Sequence, residues 1–296
     1  MSSSLSKTFS LKELQDFDRD GFIVVRQLAE PELIYQINQV TNNLLQNPIQ
    51  PIEYEAELGY PGAPKLMDEI GSKIPRRFLN ALCRGQSLYD WATHPNVLSR
   101  LHQLMGKSIV LSLAHHNSIM SKHPDFSSDT GWHRDIRYWS FNFPDLITVF
   151  LALTPSNAEN GGLQFLPRSH KDIIEDYQLD NMSFLKVDLP ENKILLDRQI
   201  TIDLNPGDAI FFHSLTFHGA PRNRTKQERR SLLFTYHDDQ NYPITGTRSD
   251  SMPELHFTES TVESINTIAK TQSIISQSII GQSIIGQEHS LNQQRS

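Results

Sequence analysis

Residues 131–138 read Gly-Trp-His-Arg-Asp-Ile-Arg-Tyr, placing an imidazole and a carboxylate two positions apart at His133 and Asp135. Non-haem Fe(II) favours imidazole and carboxylate ligands on one face, which leaves open positions for substrate and O2. On a strand, side chains at i and i+2 point to the same side, so one short segment can supply two ligands and a distant strand the third. Two histidines compete for that third place. His213 ends the apolar run Ala209-Ile-Phe-Phe-His213, and His218, 85 residues after His133, is followed by Gly219 and a turn. A buried core histidine is the plain alternative for either, and spacing alone does not choose between them. Eleven residues past His218 stands Arg229, opening the apolar run Arg229-Arg-Ser-Leu-Leu-Phe234. A guanidinium can grip a carboxylate through two parallel hydrogen bonds, so Arg229 suits an acidic co-substrate beside the metal. Adjacent strand residues face opposite sides, so Arg230 reads as a surface salt bridge. The constellation is that of an oxygenase.

A His-x-Asp pair is weak on its own, since this chain contains four, beginning at His123, His133, His170 and His237. His123-Pro-Asp125 lies in a polar loop. His170-Lys-Asp172 follows a turn and opens a helical-looking segment. His237-Asp-Asp239 ends a strand with little structure beyond it to supply a third ligand. Only His133 precedes an aromatic-rich run and has later strand or turn positions offering both another His and an Arg.

The elements that must position these groups can be read from the pattern. Ser10-Leu-Lys-Glu13 is a capping box opening a short helix, with Gly21 as its stop, and Phe22–Arg26 reads as a strand. Pro31 suits the first turn of a helix running to about Gln46, with Leu33, Ile34, Ile37, Val40 and Leu44 near one face. Residues 47–66 read as loop, and helical pieces are expected between 76 and 105. Strand-like runs come next, around 108–115, 146–153, 163–167, 198–204, 208–213 and 229–237. They are separated by the turn signals Asn160-Gly-Gly162, Pro206-Gly-Asp208 and Pro221-Arg-Asn223. Helices first and many short strands later imply an α+β, mainly β protein built on a sandwich or barrel.

Composition bounds the partners. With 27 basic against 34 acidic residues, a net charge of −7, the chain is a poor match for nucleic acid. No apolar stretch approaches the ~20 residues of a membrane span. Cys83 is the only cysteine, so no intramolecular disulfide forms and a reducing compartment fits. The N-terminal MSSSLSKTFS lacks a secretory apolar core and the terminal QQRS is not a peroxisomal address, so the expected location is the cytoplasm. The expected domain spans 1–258, with a helical part over about 10–105 and the barrel over about 106–240. Residues 259–296 form a low-complexity tail containing the five-residue repeat QSIIS-QSIIG-QSIIG, expected to be disordered. The expected partner is a small-molecule substrate, and the expected state a monomer or weak homo-oligomer.

Four ordered motifs carry a resemblance over roughly residues 10–240: WHRDIRYWSFNFPDLITVFLAL (132–153), ENGGLQFLPRSHK (159–171), LNPGDAIFFH (204–213) and HGAPRNRTKQERRSLLFTYH (218–237). Together they resemble the phytanoyl-CoA dioxygenase family of Fe(II)/2-oxoglutarate oxygenases. The resemblance implies a double-stranded β-helix, a jelly-roll barrel with helices packed outside. It implies iron ligands at His133, Asp135 and His218, and Arg229 on the remote carboxylate of 2-oxoglutarate, with His213 becoming a supporting or core residue. It also implies O2 as oxidant, and release of succinate and CO2 as a substrate C–H bond is hydroxylated. Asp135 favours oxidation over halogenation, because related halogenases carry a small residue there. Two positions depart from the family pattern. Arg134 stands where Gln is common and is expected to point away from the metal. Arg168 replaces the usual Gly before Ser-His, which should slightly alter a turn.

Asn117 and Lys122, on the segment leading into the metal strand, are candidate contacts to 2-oxoglutarate or substrate, against the alternative of a solvated strand end. Arg137, Tyr138 and Trp139 are candidates for the substrate entrance, and residues 47–95, with Tyr54, Tyr60, Arg76 and Arg77, for part of a lid. That mixed polar and aromatic segment suits a small organic acid or a secondary-metabolite intermediate better than a CoA thioester. Two other classes compete: a barrel that binds metabolites without turnover, and a zinc hydrolase using the same three ligands with water in the fourth position. The second leaves Arg229 unexplained.

Overall fold

A computed structural model describes residues 8–106 and 108–258. The chain divides into a compact unit, Met1–His256, and a segment Phe257–Ser296, of which only Phe257 and Thr258 are described. The repeat tail expected to be disordered lies outside the described residues. No helix among the described residues is long and apolar enough to cross a membrane.

The elements run α1 (Leu11–Asp20), β1 (Phe22–Val25), α2 (Pro31–Gln46), β2 (Ile52–Tyr54), β3 (Pro75–Leu79), α3 (Gln86–Ala92), α4 (Pro95–Met105), β4 (Ser108–Ser112), β5 (Ser118–Lys122), β6 (Thr130–His133), β7 (Leu146–Ala152), β8 (Gln164–Phe165), α5 (Pro190–Leu196), β9 (Ile200–Thr201), β10 (Ala209–His213), β11 (His218–Ala220), β12 (Arg229–Asp238) and β13 (Glu254–Thr258). The capping box is present at Ser10 and Glu13, and Gly21 closes α1 in the left-handed conformation (φ 81°). A side chain at Gly21 would also strike the His170 ring and the Thr216 hydroxyl. Pro31 opens α2, which buries Ile34, Ile37, Thr41 and Leu44.

Two antiparallel sheets face each other as a double-stranded β-helix. The larger runs β1-β10-β7-β12-β5-β3-β2, with β4 beside the C-terminal half of β12; the smaller runs β6-β11-β8-β9. Strand β7 is buried along its whole length because both its faces are covered. Between the sheets, Phe150, Ile210, Phe212 and Leu233 pack on Phe165, Leu163 and Ala220. On the outer face, the Tyr236 hydroxyl donates to Ala92 O of α3 (2.8 Å). The register β7–β12 pairs Thr148 with Thr235, Phe150 with Leu233 and Ala152 with Ser231. Period-two alternation then puts Arg229, Ser231, Leu233 and Thr235 on one face, toward the barrel interior.

The structure departs from the sequence reading at three places. Residues 47–66 contain β2, and the stretch read as helical from 76 begins instead as β3, so this segment extends the large sheet past β5. The runs at 163–167 and 198–204 reduce to the two-residue ladder β8–β9. Helix α5 has no counterpart in the sequence pattern: at seven residues it is too short to show a helical period.

Candidate active site

His133 ends β6 and lies directly opposite His218, the first residue of β11, with ring centroids 4.3 Å apart. Asp135 does not continue the strand, contrary to the sequence expectation, but opens a one-turn 3-10 helix, Asp135–Tyr138. The β6–β11 ladder stops at the His133–His218 pair, and Ile136 N then turns to bond Ser214 O (3.1 Å). Two residues apart on a straight strand, the side chains would stand roughly 7 Å apart. The turn instead brings Asp135 Oδ1 to 3.6 Å from His133 Nε2 and 3.4 Å from His218 Nε2. The potential ligand atoms of these three buried residues all lie within 4.8 Å of one another.

Hydrogen bonding fixes which atoms are free to ligate. His133 Nδ1 donates to Gly131 O (2.8 Å) and His218 Nδ1 to Thr216 O (3.1 Å). A carbonyl oxygen only accepts, so each Nδ1 carries the proton and each Nε2 lone pair faces Asp135. The second carboxylate oxygen, Oδ2, accepts from the Thr148 hydroxyl (3.1 Å) and lies 3.3 Å from His116 Nδ1. Thr148 in turn shares a 2.8 Å bond with Thr235. Burial, then the nearby His218 charge, pushes His133 down to about 4. Burial also opposes charging of His218, but Asp135 outweighs it and raises its pKa. Burial would raise Asp135; His116 and His218 overcome this and hold it well below the carboxylate range. A neutral imidazole and an ionised carboxylate are the states a divalent cation requires.

The triad opens onto a cavity with apolar walls from Met120, Phe150, Leu163, Phe212 and Leu233. Arg229 also lines it, 1% exposed, with Nε and Nη1 lacking any hydrogen-bond partner. Among the described residues no carboxylate pairs with it, and burial followed by repulsion from Arg76 pushes its pKa down to about 10. A buried guanidinium left unpaired is costly, which makes this end of the cavity a receptor for an anion. The donor set thus fits both groups: two imidazole nitrogens and a carboxylate for a metal, and an unpaired guanidinium for a dicarboxylate.

Lys122 faces Arg229 across the β5–β12 pair and lines the same cavity. Two of its three donors are engaged, to Ser128 O (2.7 Å) and Ala220 O (3.0 Å), and burial holds its pKa well below the usual lysine value. Asn117 does not line this cavity but the neighbouring recess that shares Arg77 and His116 with it, and its Oδ1 accepts from Leu82 N (2.8 Å), bracing a short turn. His213 is neither core nor support to the triad, since its ring reaches outward to Asp145 (3.2 Å). Tyr138 lines the cavity, whereas Trp139 packs with Phe141 and Leu146, and Arg137 stacks on Phe184.

Arg134 points away from the triad onto the Phe217 ring and bonds Asp172 O (2.8 Å). Arg168 leaves its turn in the left-handed form that glycine favours (φ 68°), so the side chain is accommodated by strain rather than by a changed turn. The other His-x-Asp triplets assemble no comparable cluster among the described residues.

Sequence reasoning missed His116 and Thr148. Thr148 did leave a signal, as a lone hydroxyl inside Leu146-Ile-Thr-Val-Phe-Leu-Ala152. His116 left little: it sits in a turn at φ 44°, where its direction depends on the turn. Arg76 and Arg77, placed in the lid from sequence, also line the cavity. Arg76 is tied to Ser128 Oγ (2.6 Å), Thr130 Oγ1 (2.7 Å) and Glu55 (3.4 Å).

A double-stranded β-helix carrying two histidines and a carboxylate beside a buried arginine is the architecture of Fe(II)- and 2-oxoglutarate-dependent oxygenases. The chain belongs to the phytanoyl-CoA dioxygenase (PhyH) family, whose model matches residues 17–231. The peroxisomal phytanoyl-CoA dioxygenase of Homo sapiens is 21% identical over 83% of this chain and 74% of its own. Among solved structures, the epimerase SnoN in complex with Fe3+, alpha ketoglutarate and nogalamycin RO superposes with a TM-score of 0.65 at 21% identity, over 82% of this chain and 89% of SnoN. EctD from S. alaskensis with 2-oxoglutarate and 5-hydroxyectoine gives 0.63 at 17% identity, over 82% and 81%. This protein is accordingly a dioxygenase that depends on Fe(II), 2-oxoglutarate and O2.

Proposed function

We propose that this enzyme hydroxylates an unactivated C–H bond of a small organic acid or secondary-metabolite intermediate, with His133, Asp135 and His218 as the metal ligands and Arg229 as the co-substrate clamp. The observation that carries the reading is the unpaired guanidinium of Arg229, buried in the same cavity as the triad. The zinc-hydrolase reading leaves that charge unexplained.

When bound, the metal and 2-oxoglutarate supply the oxidising chemistry: O2 is consumed, one oxygen atom leaves in succinate as CO2 is released, and the other enters the substrate. The chain's own residues do the rest. His133 and His218 present neutral Nε2 atoms because Gly131 O and Thr216 O hold the protons on Nδ1. Thr148 and His116 hold Asp135 Oδ2, which turns Oδ1 toward the two rings. Arg229 fixes the far carboxylate of 2-oxoglutarate, converting orientation into rate, and Lys122, opposite it in the ladder, offers its remaining hydrogen-bond donor to the same space. Phe150, Phe212, Leu163 and Leu233 exclude water from the space between. Tyr138 lines the same cavity from the turn after Asp135, where a substrate would approach.

The test is anaerobic addition of Fe(II) and 2-oxoglutarate, monitored by the visible charge-transfer band of the chelate, in wild type, His133→Ala and Arg229→Ala. The expected result is a band in wild type, its loss in the His variant, and a higher 2-oxoglutarate requirement in the Arg variant. A substrate panel read by succinate formation and by 18O2 incorporation into product then tests hydroxylation. Turnover confined to acyl-CoA thioesters would overturn the substrate class.

A further inference from the structure

A second recess opens beside the triad cavity, and the two share Arg77 and His116 in their walls. The shared walls make the recess a neighbouring chamber of the active site. Its remaining lining includes His115, Leu79, Ala114 and Arg248. Arg248 opens a 3-10 turn, Arg248–Asp250, that is anchored rather than loose: buried Ser249 accepts from Ser140 N through its hydroxyl (2.9 Å). The Arg248 guanidinium has no carboxylate partner among the described residues, and Asp250 instead accepts from Gly246 N (3.0 Å). His115 is 8% exposed, held by stacking on Tyr138 (4.4 Å), and its Nδ1 has no hydrogen-bond partner.

The charges in this recess do not cancel. Arg77 is met by Glu53, whose Oε1 lies 2.9 Å from Nε as a charge contact rather than an aligned hydrogen bond. His115 is kept neutral by burial and by the neighbouring His116, Arg77 and Arg248. That leaves Arg248, a solvent-exposed guanidinium with no ion-pair partner among the described residues, as the free positive charge at the edge of a recess with apolar walls at Leu79 and Ala114. One surplus positive charge matches one carboxylate better than a doubly charged phosphate. Arg248 lies beyond residues 17–231, the part that the family model matches.

We propose that this recess binds the carboxylate of a monoanionic substrate between Arg248 and Arg77, with its carbon skeleton passing His116 toward the triad. Arg248 then selects acids over their neutral derivatives. The inference rests on the oxygenase reading above.

The test uses the full chain loaded with Fe(II) and 2-oxoglutarate. The probes are a panel of aliphatic and aromatic monocarboxylic acids, each paired with its methyl ester and primary amide, together with phosphate monoesters of matching skeleton. Substrate-stimulated succinate formation is the readout, in wild type, Arg248→Ala and Arg248→Glu. The expected result is stimulation by acids but not by their neutral partners, with KM for the best acid raised about tenfold or more in Arg248→Glu while kcat changes less. Matching cationic amines should gain relative to acids in that variant. Equal stimulation by ester and acid, stimulation by phosphate monoesters alone, no stimulation by any acid, or an unchanged KM in Arg248→Glu would each overturn it. The wild-type charge-transfer band separates the two failures. A band with no acid preference sinks the recess proposal alone, whereas no band despite bound metal sinks the oxygenase reading and this proposal with it.

Discussion

Replacing Arg229 with methionine separates an anion receptor from a structural cation, because the two roles predict opposite signs. The methionine fills much of the same volume and carries no charge. In the ligand-free protein Arg229 is buried, lacks partners at Nε and Nη1, and is repelled by Arg76. Removing it therefore relieves an uncompensated charge, and the ligand-free melting temperature should stay level or rise. With 2-oxoglutarate the sign reverses. Removing one partner of a buried, charge-assisted pair costs about 3–5 kcal/mol, equivalent to roughly 150- to 4,000-fold in affinity.

Thermal unfolding with Mn(II) in place of Fe(II), under anaerobic conditions, reads both effects in one experiment. At a 2-oxoglutarate concentration of about 100 times the wild-type Kd, binding stabilises the native state by about 2.7 kcal/mol. For a chain of this size that is a rise of about 4 °C. At the same concentration Arg229→Met should shift by about 1 °C or less. A variant that melts well below wild type without ligand, yet keeps the full shift, would refute the reasoning and make Arg229 a structural residue.

Other expectations concern the groups around the triad. Thr148→Val keeps the shape but deletes the bond to Asp135 Oδ2, and should weaken metal binding by about 10- to 100-fold in a direct metal titration. His116→Ala should act in the same direction, and the pair should be non-additive because both hold one oxygen. Arg168→Gly should stabilise the fold by about 1 kcal/mol, read by chemical denaturation, since the left-handed backbone at φ 68° strains any side chain. Metal affinity should fall as pH drops through the raised pKa of His218, because the proton on Nε2 must leave before a metal binds. His133, at about 4, should not limit binding above that pH. In the metal-free protein the two oppose each other: the stabilisation from His218 is present below its unfolded pKa of about 6.5 and lost as pH rises through the raised value. That linked to His133 is present above about 6.5 and lost as pH falls toward 4. Urea titrations of wild type and His133→Ala across that window check the second sign.

Local patterning made much of the frame legible. The capping box at Ser10, the proline at Pro31 and the alternating runs of β7, β10 and β12 each specify an element through contacts close in sequence. Arg229 and Arg230 could be sorted from one another because strand neighbours must face opposite ways, and Arg230 indeed pairs with Glu228 (2.6 Å) and Asn42 (2.6 Å) outside the cavity. His213 and His218 could not be sorted by spacing. Their places in the strands separate them: His213 ends its strand facing Asp145, while His218 starts a strand whose register sets it opposite His133. Register of that kind is a property of two distant segments together, and neither segment shows it alone. The same limit hid Asp135's departure from the strand, which depends on Ser214 O accepting from Ile136 N.

The residues that close the cavity were the least legible, for a related reason. Glu55 is fully buried, and its Oε2 accepts from Ser128 Oγ (2.8 Å), 73 residues away in sequence. Arg76 meets Glu55 and bonds Ser128 and Thr130, while Lys122 bonds Ser128 O and Ala220 O. One short segment, 128–130, thus gathers a buried acid, a buried arginine and a buried lysine before leading into the strand that ends at His133. In the sequence, Glu55 looks like an ordinary surface charge in a loop, and nothing there pairs it with Arg76. In the fold they anchor that loop to the base of the metal strand, and burial makes the anchor unforgiving. Removing Glu55 would leave Arg76 with less compensation beside Arg229, which it already repels. A dicarboxylate co-substrate would neutralise that excess of positive charge, so the Glu55–Arg76 anchor and the charge that receives the anion belong to one electrostatic unit. Glu55→Gln should accordingly tighten the dependence of stability on bound 2-oxoglutarate, giving a lower melting temperature without ligand and a larger rise with it. A uniform loss with an unchanged ligand shift would mean the two sets of charges are uncoupled.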